Sequence, residues 1–274
     1  MHVDPLVRVA KTPTVKESDR NSMPPPPPPR DSGPPREGLL LGYSALLALS
    51  AGFVNAVALL ILALPVGNLT AITTQLGMNT ANPWLYEGHV LGAIFLGFLT
   101  GATTAGAILA PTEALAGSRH ATVLFLEAAL LVLAAAGVEE TIVKAQIDAL
   151  GIELTAVQAL FAAAALGLQN GMTSSFRGMA IRTTHFTGTV TDLGLILGRS
   201  RLHGIKKWKA AILATTLLLF LGGGVAGIVF GARLGGYALL IPAATCAAVA
   251  AANVLQSAGR AAEPVPEHAE PARV

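Results

Sequence analysis

Long apolar blocks separated by short polar stretches dominate the pattern of this chain. Each block is near the roughly 17 to 25 residues that a helix needs to cross about 30 Å of hydrocarbon. The blocks are continuous runs of Ala, Leu, Val and Gly, whereas a membrane strand would alternate apolar and polar residues over about ten positions. The pattern therefore predicts an all-α polytopic membrane helix bundle with about six transmembrane helices, at about 39–64, 90–110, 121–138, 154–172, 210–232 and 237–255.

Two short segments, 68–82 and 184–198, break this pattern because they are rich in hydroxyl and amide side chains. Side chains of this polarity are costly against lipid, so we expect two short polar half-helices that do not face the hydrocarbon. The residues concerned are Thr70, Thr73, Thr74, Gln75 and Asn79 in the first segment, and Thr187, Thr189, Thr191 and Asp192 in the second.

The two polar segments belong to an internal duplication. Placing Asn55 over Asn170 aligns four elements of each half and predicts repeats at about 39–138 and 154–255. If the polar segments do not cross fully, each repeat has three crossings and the repeats are inverted. Both segments would then approach the bilayer midplane, where inverted-repeat transporters bind substrate. The other aligned pairs are Leu76-Gly77 with Leu193-Gly194 and Phe98-Leu-Thr-Gly101 with Phe220-Leu-Gly-Gly223.

Charge supports the membrane class and favours one topology. The chain is 53% hydrophobic and 12% charged, against roughly 25% charged residues in a soluble domain. With six crossings and a cytoplasmic N-terminus, 16 of the 18 Lys and Arg lie inside, whereas eight crossings with parallel repeats leave 14 inside. Six crossings with both termini cytoplasmic are therefore favoured. The basic residues flank membrane helices, so we expect no nucleic-acid partner.

The ends of the chain differ from the membrane domain, which we place at 39–257. Residues 1–38 are polar and contain six consecutive prolines from Pro24 to Pro29. Such a run forms an extended polyproline helix without internal hydrogen bonds, so we expect a disordered cytoplasmic tail. The first apolar block is too long and too far from the N-terminus for a cleavable signal peptide. Residues 258–274 are predicted to form a second short tail.

Polar side chains at membrane depth are the candidates for a site. Glu127 is the clearest, because an ionisable group at the bilayer centre costs about 2.5 to 3.5 kcal/mol on insertion scales. It could couple proton movement to a conformational change or lock helices together through hydrogen bonds, and Asp192 is the other candidate acid. Amides and hydroxyls without a basic partner suit a small neutral solute, a cation or a proton better than a large anion. The candidate pathway residues are Asn55, Thr70, Thr73, Thr74, Gln75, Gln169, Asn170, Thr187, Thr189 and Thr191.

The sequence offers no familiar metal or catalytic motif. With one cysteine, Cys246, the chain can form no intramolecular disulfide and no Cys-based metal site. No two of its histidines have the helical spacing of a metal site. No Ser, His and Asp set or phosphate loop has usable spacing. We therefore expect no metal, no cofactor and no enzymatic activity.

At the repeated motifs the chain resembles the YoaK-like bacterial membrane proteins, whose defining domain is described as being of unknown function. The resemblance covers about residues 40–257 and is strongest at Gly167-Leu-Gln-Asn170 and Phe186-Thr-Gly-Thr-Val-Thr-Asp-Leu-Gly194. The first half departs from the family pattern, since Asn55 stands where the family often has Asp and Thr70-Ala-Ile72 where it has Thr-Gly-Asn. The resemblance implies a bacterial inner-membrane protein of about six helices without an established substrate.

Two classes of function fit these observations best. The duplication and the paired polar segments favour a small-solute or proton-coupled transporter with a midplane site between the repeats. The alternative is a non-transporting membrane scaffold or envelope-stress protein, which would have a tightly packed interior without a water-accessible path. The partners expected are the lipid bilayer and either a small solute or a proton.

Overall fold

Helices make up almost all of the chain that the computed structural model describes. The structure describes residues 35–110, 117–138, 142–149, 151, 153–175, 183–203 and 207–262, and these contain no β-strand. The proline run and the last twelve residues, which belong to the two predicted tails, lie outside the described residues. The helices are α1 (Pro35–Leu62), α2 (Leu69–Ala81), α3 (Gly88–Leu109), α4 (Ser118–Val138), α5 (Ile142–Ala149), α6 (Leu154–Ser174), α7 (Phe186–His203), α8 (Lys207–Leu234) and α9 (Leu240–Ala262), with a 3-10 helix at Gly235–Leu239.

The prediction of an all-α helical bundle is confirmed. Helices α1, α3, α4, α6, α8 and α9 coincide with the apolar blocks, and α2 and α7 with the polar segments. The short helix α5 was not anticipated from the apolar pattern. Among the described residues, four stretches are long and apolar enough to span a membrane: Leu41–Leu62, Gly88–Leu109, Ser118–Gly137 and Lys207–Ala258.

The last of these stretches contains both α8 and α9. It is 52 residues long, about twice what one crossing needs. The chain breaks within it at Gly235, whose φ of 58° lies in the left-handed region that ends many helices. Two long helices therefore follow one another with only the 3-10 turn between them.

Helix α6 lies at the centre of the bundle, packed against α3 and α4, and α4 also packs against α9. Three buried amides, those of Gln158, Gln169 and Asn170, make α6 more polar than its neighbours. Its small alanines let the flanking helices approach and cover these amides. This explains why α6 is absent from the strongly apolar stretches and is nevertheless largely buried.

Glycines allow two pairs of helices to touch along their backbones. A Cβ on Gly101 would lie 2.1 Å from the carbonyl oxygen of Ala164, and one on Gly167 would lie 2.2 Å from that of Phe98. These contacts pack α3 against α6, as small residues commonly do between membrane helices. The corresponding contacts of α1 with α8 are Gly52 at 2.0 Å from the Phe220 oxygen and Gly223 at 2.0 Å from the Leu49 oxygen.

Large apolar side chains cover the outer faces of the long helices. On α8, Leu218 and Val225 are each 66% exposed, and Leu221 and Ile228 are exposed as well. Contiguous apolar surface of this kind is rare on soluble monomers and fits contact with lipid tails. The helices thus present a hydrocarbon-compatible exterior around a core that holds the buried polar groups.

Candidate functional site

A cavity of about 540 Å³ lies where the two polar helices α2 and α7 begin. Both halves of the chain contribute to its wall in a matched way, because the residues just before and at the start of each polar helix line it. The lining consists of Asn55, Gly67, Asn68, Leu69 and Thr70 from the first half, Asn170, Gly171, Ser174, Thr184, His185, Phe186 and Thr187 from the second, and Phe98, Ala102 and Phe220 from the flanking helices.

Two asparagines hold the segments that lead into the polar helices. The Asn55 Oδ1 accepts a hydrogen bond from the backbone N–H of Gly67 at 2.9 Å. In the second half, the Asn170 Oδ1 lies 3.4 Å from the backbone nitrogen of Thr184 and 3.2 Å from its hydroxyl, both of which donate to it. The Asn170 amide nitrogen also donates to the carbonyl of Leu166 at 2.8 Å. The side-chain amides of Asn55 and Asn170, both predicted as site residues, therefore hold the segments of the cavity wall in place.

Both polar helices point their N-terminal ends at the cavity. At α2, the Asn68 side chain caps the helix by accepting from the Ala71 N–H at 3.2 Å. At α7, the His185 carbonyl accepts the first helical bond, from Thr189, at 3.2 Å. Helix N-termini carry partial positive charge. Among the lining residues that the structure describes there is no carboxylate, so none of them offsets the positive field of the two helix ends.

The predicted threonines divide into two groups. Thr70 and Thr187 line the cavity. The hydroxyls of the others donate to carbonyls one turn earlier in their own helix, with oxygen separations of 2.7 Å for Thr73, 2.9 Å for Thr74, 3.2 Å for Thr189 and 2.8 Å for Thr191. These bonds satisfy the hydroxyls within the helix. They explain how such polar segments are accommodated in this bundle.

Three further predicted residues lie outside the lining. Gln169 is fully buried and ties α6 to α1 by donating to the Leu47 carbonyl at 3.0 Å. Gln75 is half-buried on α2, and its side-chain oxygen has no hydrogen-bond partner among the described residues. Asp192 forms an ion pair with Lys209 at 2.9 Å, linking α7 to α8 at a half-exposed position where such pairs contribute little stability.

Glu127 is fully buried in α4 and is separate from the cavity. Its carboxyl lies beside the Cys246 thiol of α9, which in turn neighbours the Ser50 hydroxyl of α1. Neither carboxyl oxygen has a well-formed hydrogen bond within the described part of the chain. The structure thus places the predicted acid at the junction of three helices, away from the polar segments.

Several lining residues escaped the sequence analysis. Asn68 and His185 occupy equivalent places, directly before the two polar helices, and both line the cavity. Phe186 and Phe220 meet at the cavity with ring centroids 4.2 Å apart. The duplication could have identified Asn68 and His185. Each directly precedes a polar helix, so each lies close to the N-terminus of that helix and to the cavity there.

The apolar helices and the buried polar core define an integral membrane protein of the helical-bundle class. The chain belongs to the family described as "Protein of unknown function (DUF1275)", whose model matches residues 43–252. This confirms the family resemblance inferred from the repeated motifs. The chain matches no curated protein and no solved structure.

Proposed function

We propose that this protein is a small-solute transporter of the bacterial inner membrane whose substrate site is the cavity between α2 and α7. One observation carries the proposal: the starts of both polar helices, each braced by an asparagine, meet at a single cavity of about 540 Å³. Transporters with inverted repeats bind solutes at such convergences of broken helices. The volume suits a solute of metabolite size.

Equivalent contacts in the two halves support the inverted duplication. The pair Asn55 with Gly67 recurs as Asn170 with Thr184. The backbone approach of Gly52 to Phe220 likewise recurs as that of Gly167 to Phe98. These pairs follow the sequence alignment of the halves. The glycine contacts join the two halves, since α1 packs on α8 and α3 packs on α6.

Helix directions support inversion over parallel repeats. Tyr43 contacts Asn253 and Ser50 neighbours Cys246, so α1 and α9 are antiparallel. Helix α4 is antiparallel to α9 as well, because Gly117 lies near Ser257 and Glu127 beside Cys246. Helices α1 and α4 therefore run in the same direction.

The directions of α3 and α6 relative to α4 follow from two further sets of contacts. Arg119, at the start of α4, donates to the Ile108 carbonyl at the end of α3 at 2.9 Å, so α3 runs opposite to α4. Helix α6 is parallel to α3, since Gly97 faces Leu160 and Gly101 faces Ala164. It follows that α1 and α6, the first helices of the two halves, run in opposite directions, as inverted repeats require.

These directions fit six crossings with both termini in the cytoplasm. At about 1.5 Å per residue the 13 residues of α2 span about 20 Å, which is less than the roughly 30 Å of hydrocarbon. Helix α2 would then enter without crossing. Helix α7 is 18 residues long but is not among the described stretches apolar enough to span a membrane, and it would enter from the opposite face. The basic residues would lie almost entirely on the cytoplasmic side.

The chemistry of the lining narrows the substrate class. With two helix N-termini and no carboxylate among the described lining residues, the cavity is better suited to a neutral or anionic solute than to a cation. This differs from the expectation drawn from side-chain types alone, which also admitted a cation. Glu127 lies apart from the lining, so we assign any proton coupling to the junction of α1, α4 and α9 and not to the solute site. No step of this scheme requires an enzymatic reaction or a cofactor.

Cysteine accessibility tests the proposal. In a Cys246→Ala background, Thr70→Cys and Thr187→Cys, which replace two residues of the same cavity wall, should both react with a membrane-impermeant thiol reagent from whichever side the cavity is open. Ala163→Cys on α6, at a fully buried position, is the control that should stay unlabelled. If both threonine positions also stay unlabelled, the interior is closed and a non-transporting scaffold is the better description.

A further inference from the structure

A second cluster of polar side chains lies at the N-terminal ends of α3 and α6, away from the cavity. Glu87 immediately precedes α3, His89 is in its first turn, and Glu153 immediately precedes α6. Each of the three offers one ligand atom, and these atoms lie within 4.8 Å of one another. His89 and Glu153 are in direct contact although 64 residues separate them in the chain.

We propose that Glu87, His89 and Glu153 form a Zn²⁺ site that joins α3 to α6. One imidazole nitrogen and two carboxylate oxygens are a ligand set that Zn²⁺ accepts, with water completing a tetrahedral shell. Magnesium and calcium prefer shells made of oxygen alone. The histidine ligand therefore favours Zn²⁺ over Mg²⁺ and Ca²⁺ at this site.

The two carboxylates lie within 4.8 Å of each other, and neither caps its own helix. Glu87 and Glu153 each occupy the position that precedes a helix, where an acidic side chain commonly caps the free N–H groups. Neither side chain makes such a capping bond. Two carboxylates this close repel each other unless a positive charge lies between them. A bound cation satisfies both groups.

Contacts of α3, α6 and the loop before α3 hold the cluster in place. Helices α3 and α6 touch along their backbones through Gly97, Gly101 and Gly167, which fixes the separation of their ends. The Asn79 side chain holds the preceding loop by bonding both the N–H and the carbonyl of Tyr86, each at 2.9 Å. Glu87 is thus positioned from both sides. Such preorganisation favours metal binding over loose adsorption.

The proposed site does not depend on the transport proposal. Because α3 and α6 are parallel, their first residues lie on the same face of the membrane whatever the number of crossings. The spacing of histidines in the sequence does not indicate this cluster, because its ligands come from two segments that are far apart in the chain.

Titration of the full-length protein in detergent, after removal of any affinity tag and in a Cys246→Ala background, tests the site. Zn²⁺ followed by calorimetry and by the thermal unfolding midpoint should bind once per chain and raise that midpoint. His89→Ala and Glu153→Gln should each weaken binding by at least about tenfold. His268→Ala, which removes an imidazole elsewhere in the sequence, should leave binding unchanged.

Two results would overturn the proposal. One is a Zn²⁺ affinity that is the same in His89→Ala and Glu153→Gln as in the parent. The other is an equal response to Ca²⁺, which would mean adsorption to exposed carboxylates. His89 and Glu153 are 57% and 42% exposed, so both variants should fold, and Glu87→Gln provides a third test of the same ligand set.

Discussion

The Asn55 Oδ1 accepts a hydrogen bond from the backbone N–H of Gly67 across 2.9 Å, fixing the approach to α2 against the helix that precedes it. Gly67 is so closely surrounded that a Cβ there would lie 3.1 Å from this same oxygen. The segment leading into α2 is therefore held by α1 as well as by its own turn, in which the Asn68 N–H donates to the Pro65 carbonyl at 2.9 Å. Asn170 does the same for the segment leading into α7.

Removing the amide of Asn55 should loosen this segment. Asn55→Ala leaves the Gly67 N–H without its partner, and we expect a loss of about 1 to 3 kcal/mol in the free energy of unfolding. Asn55→Asp keeps an acceptor oxygen at the same place and should retain most of the stability. Denaturant titrations of both variants in detergent test this, and an Asp variant as unstable as the Ala variant would argue against an acceptor role.

Adjacent glycines of α8 provide a matched test of helix packing. A Cβ on Gly223 would lie 2.0 Å from the Leu49 carbonyl oxygen, whereas one on Gly224 would meet nothing within 4 Å. Gly223→Ala should push α8 away from α1 and destabilise the protein by about 1 to 3 kcal/mol. Gly224→Ala should be neutral or stabilising by up to about 1 kcal/mol, since alanine favours the helix. Thermal unfolding midpoints that fall equally in both variants would contradict this packing.

The apolar pattern was sufficient to predict the helices but not how they pack. Block length and composition predict long helices, so the all-α helical bundle was predicted correctly. Helix ends were less certain: α1 begins at Pro35, four residues before the predicted membrane domain, and α9 continues to Ala262. Local sequence signals for these ends are weak, because Pro is tolerated in a first helical turn.

The candidate site was predictable only in part. The duplication pointed to Asn55, Asn170, Thr70 and Thr187, all of which line the cavity. It could not show that the other threonines bond to their own helices, because hydroxyl direction depends on the side-chain rotamer and not on residue type. Contacts between distant segments, such as that of His89 with Glu153, cannot be predicted from a local sequence pattern.

Glu127 offers a test of whether its carboxyl serves packing or proton movement. Glu127→Gln keeps the size of the side chain, so stability should change by less than about 1 kcal/mol, whereas Glu127→Ala leaves a void and should cost about 2 kcal/mol or more. If the group also carries protons, Glu127→Gln should abolish proton movement in liposomes while the protein stays folded. Unfolding midpoints and the fluorescence of a trapped pH indicator provide the two measurements. Unchanged proton movement in Glu127→Gln would leave only the packing role.

The two topologies place Tyr86 on opposite sides of the membrane. It lies between α2 and α3 and is 36% exposed, so a cysteine at this position can be labelled in intact membranes. If α2 enters and returns on one side, Tyr86→Cys in a Cys246→Ala background should react with impermeant reagent from the outside. If α2 crosses, the same cysteine should react only from the inside, and the repeats would be parallel. His203→Cys is the matched control, because both topologies place residue 203 inside. The opposed directions of α1 and α6 lead us to expect labelling of Tyr86→Cys from the outside.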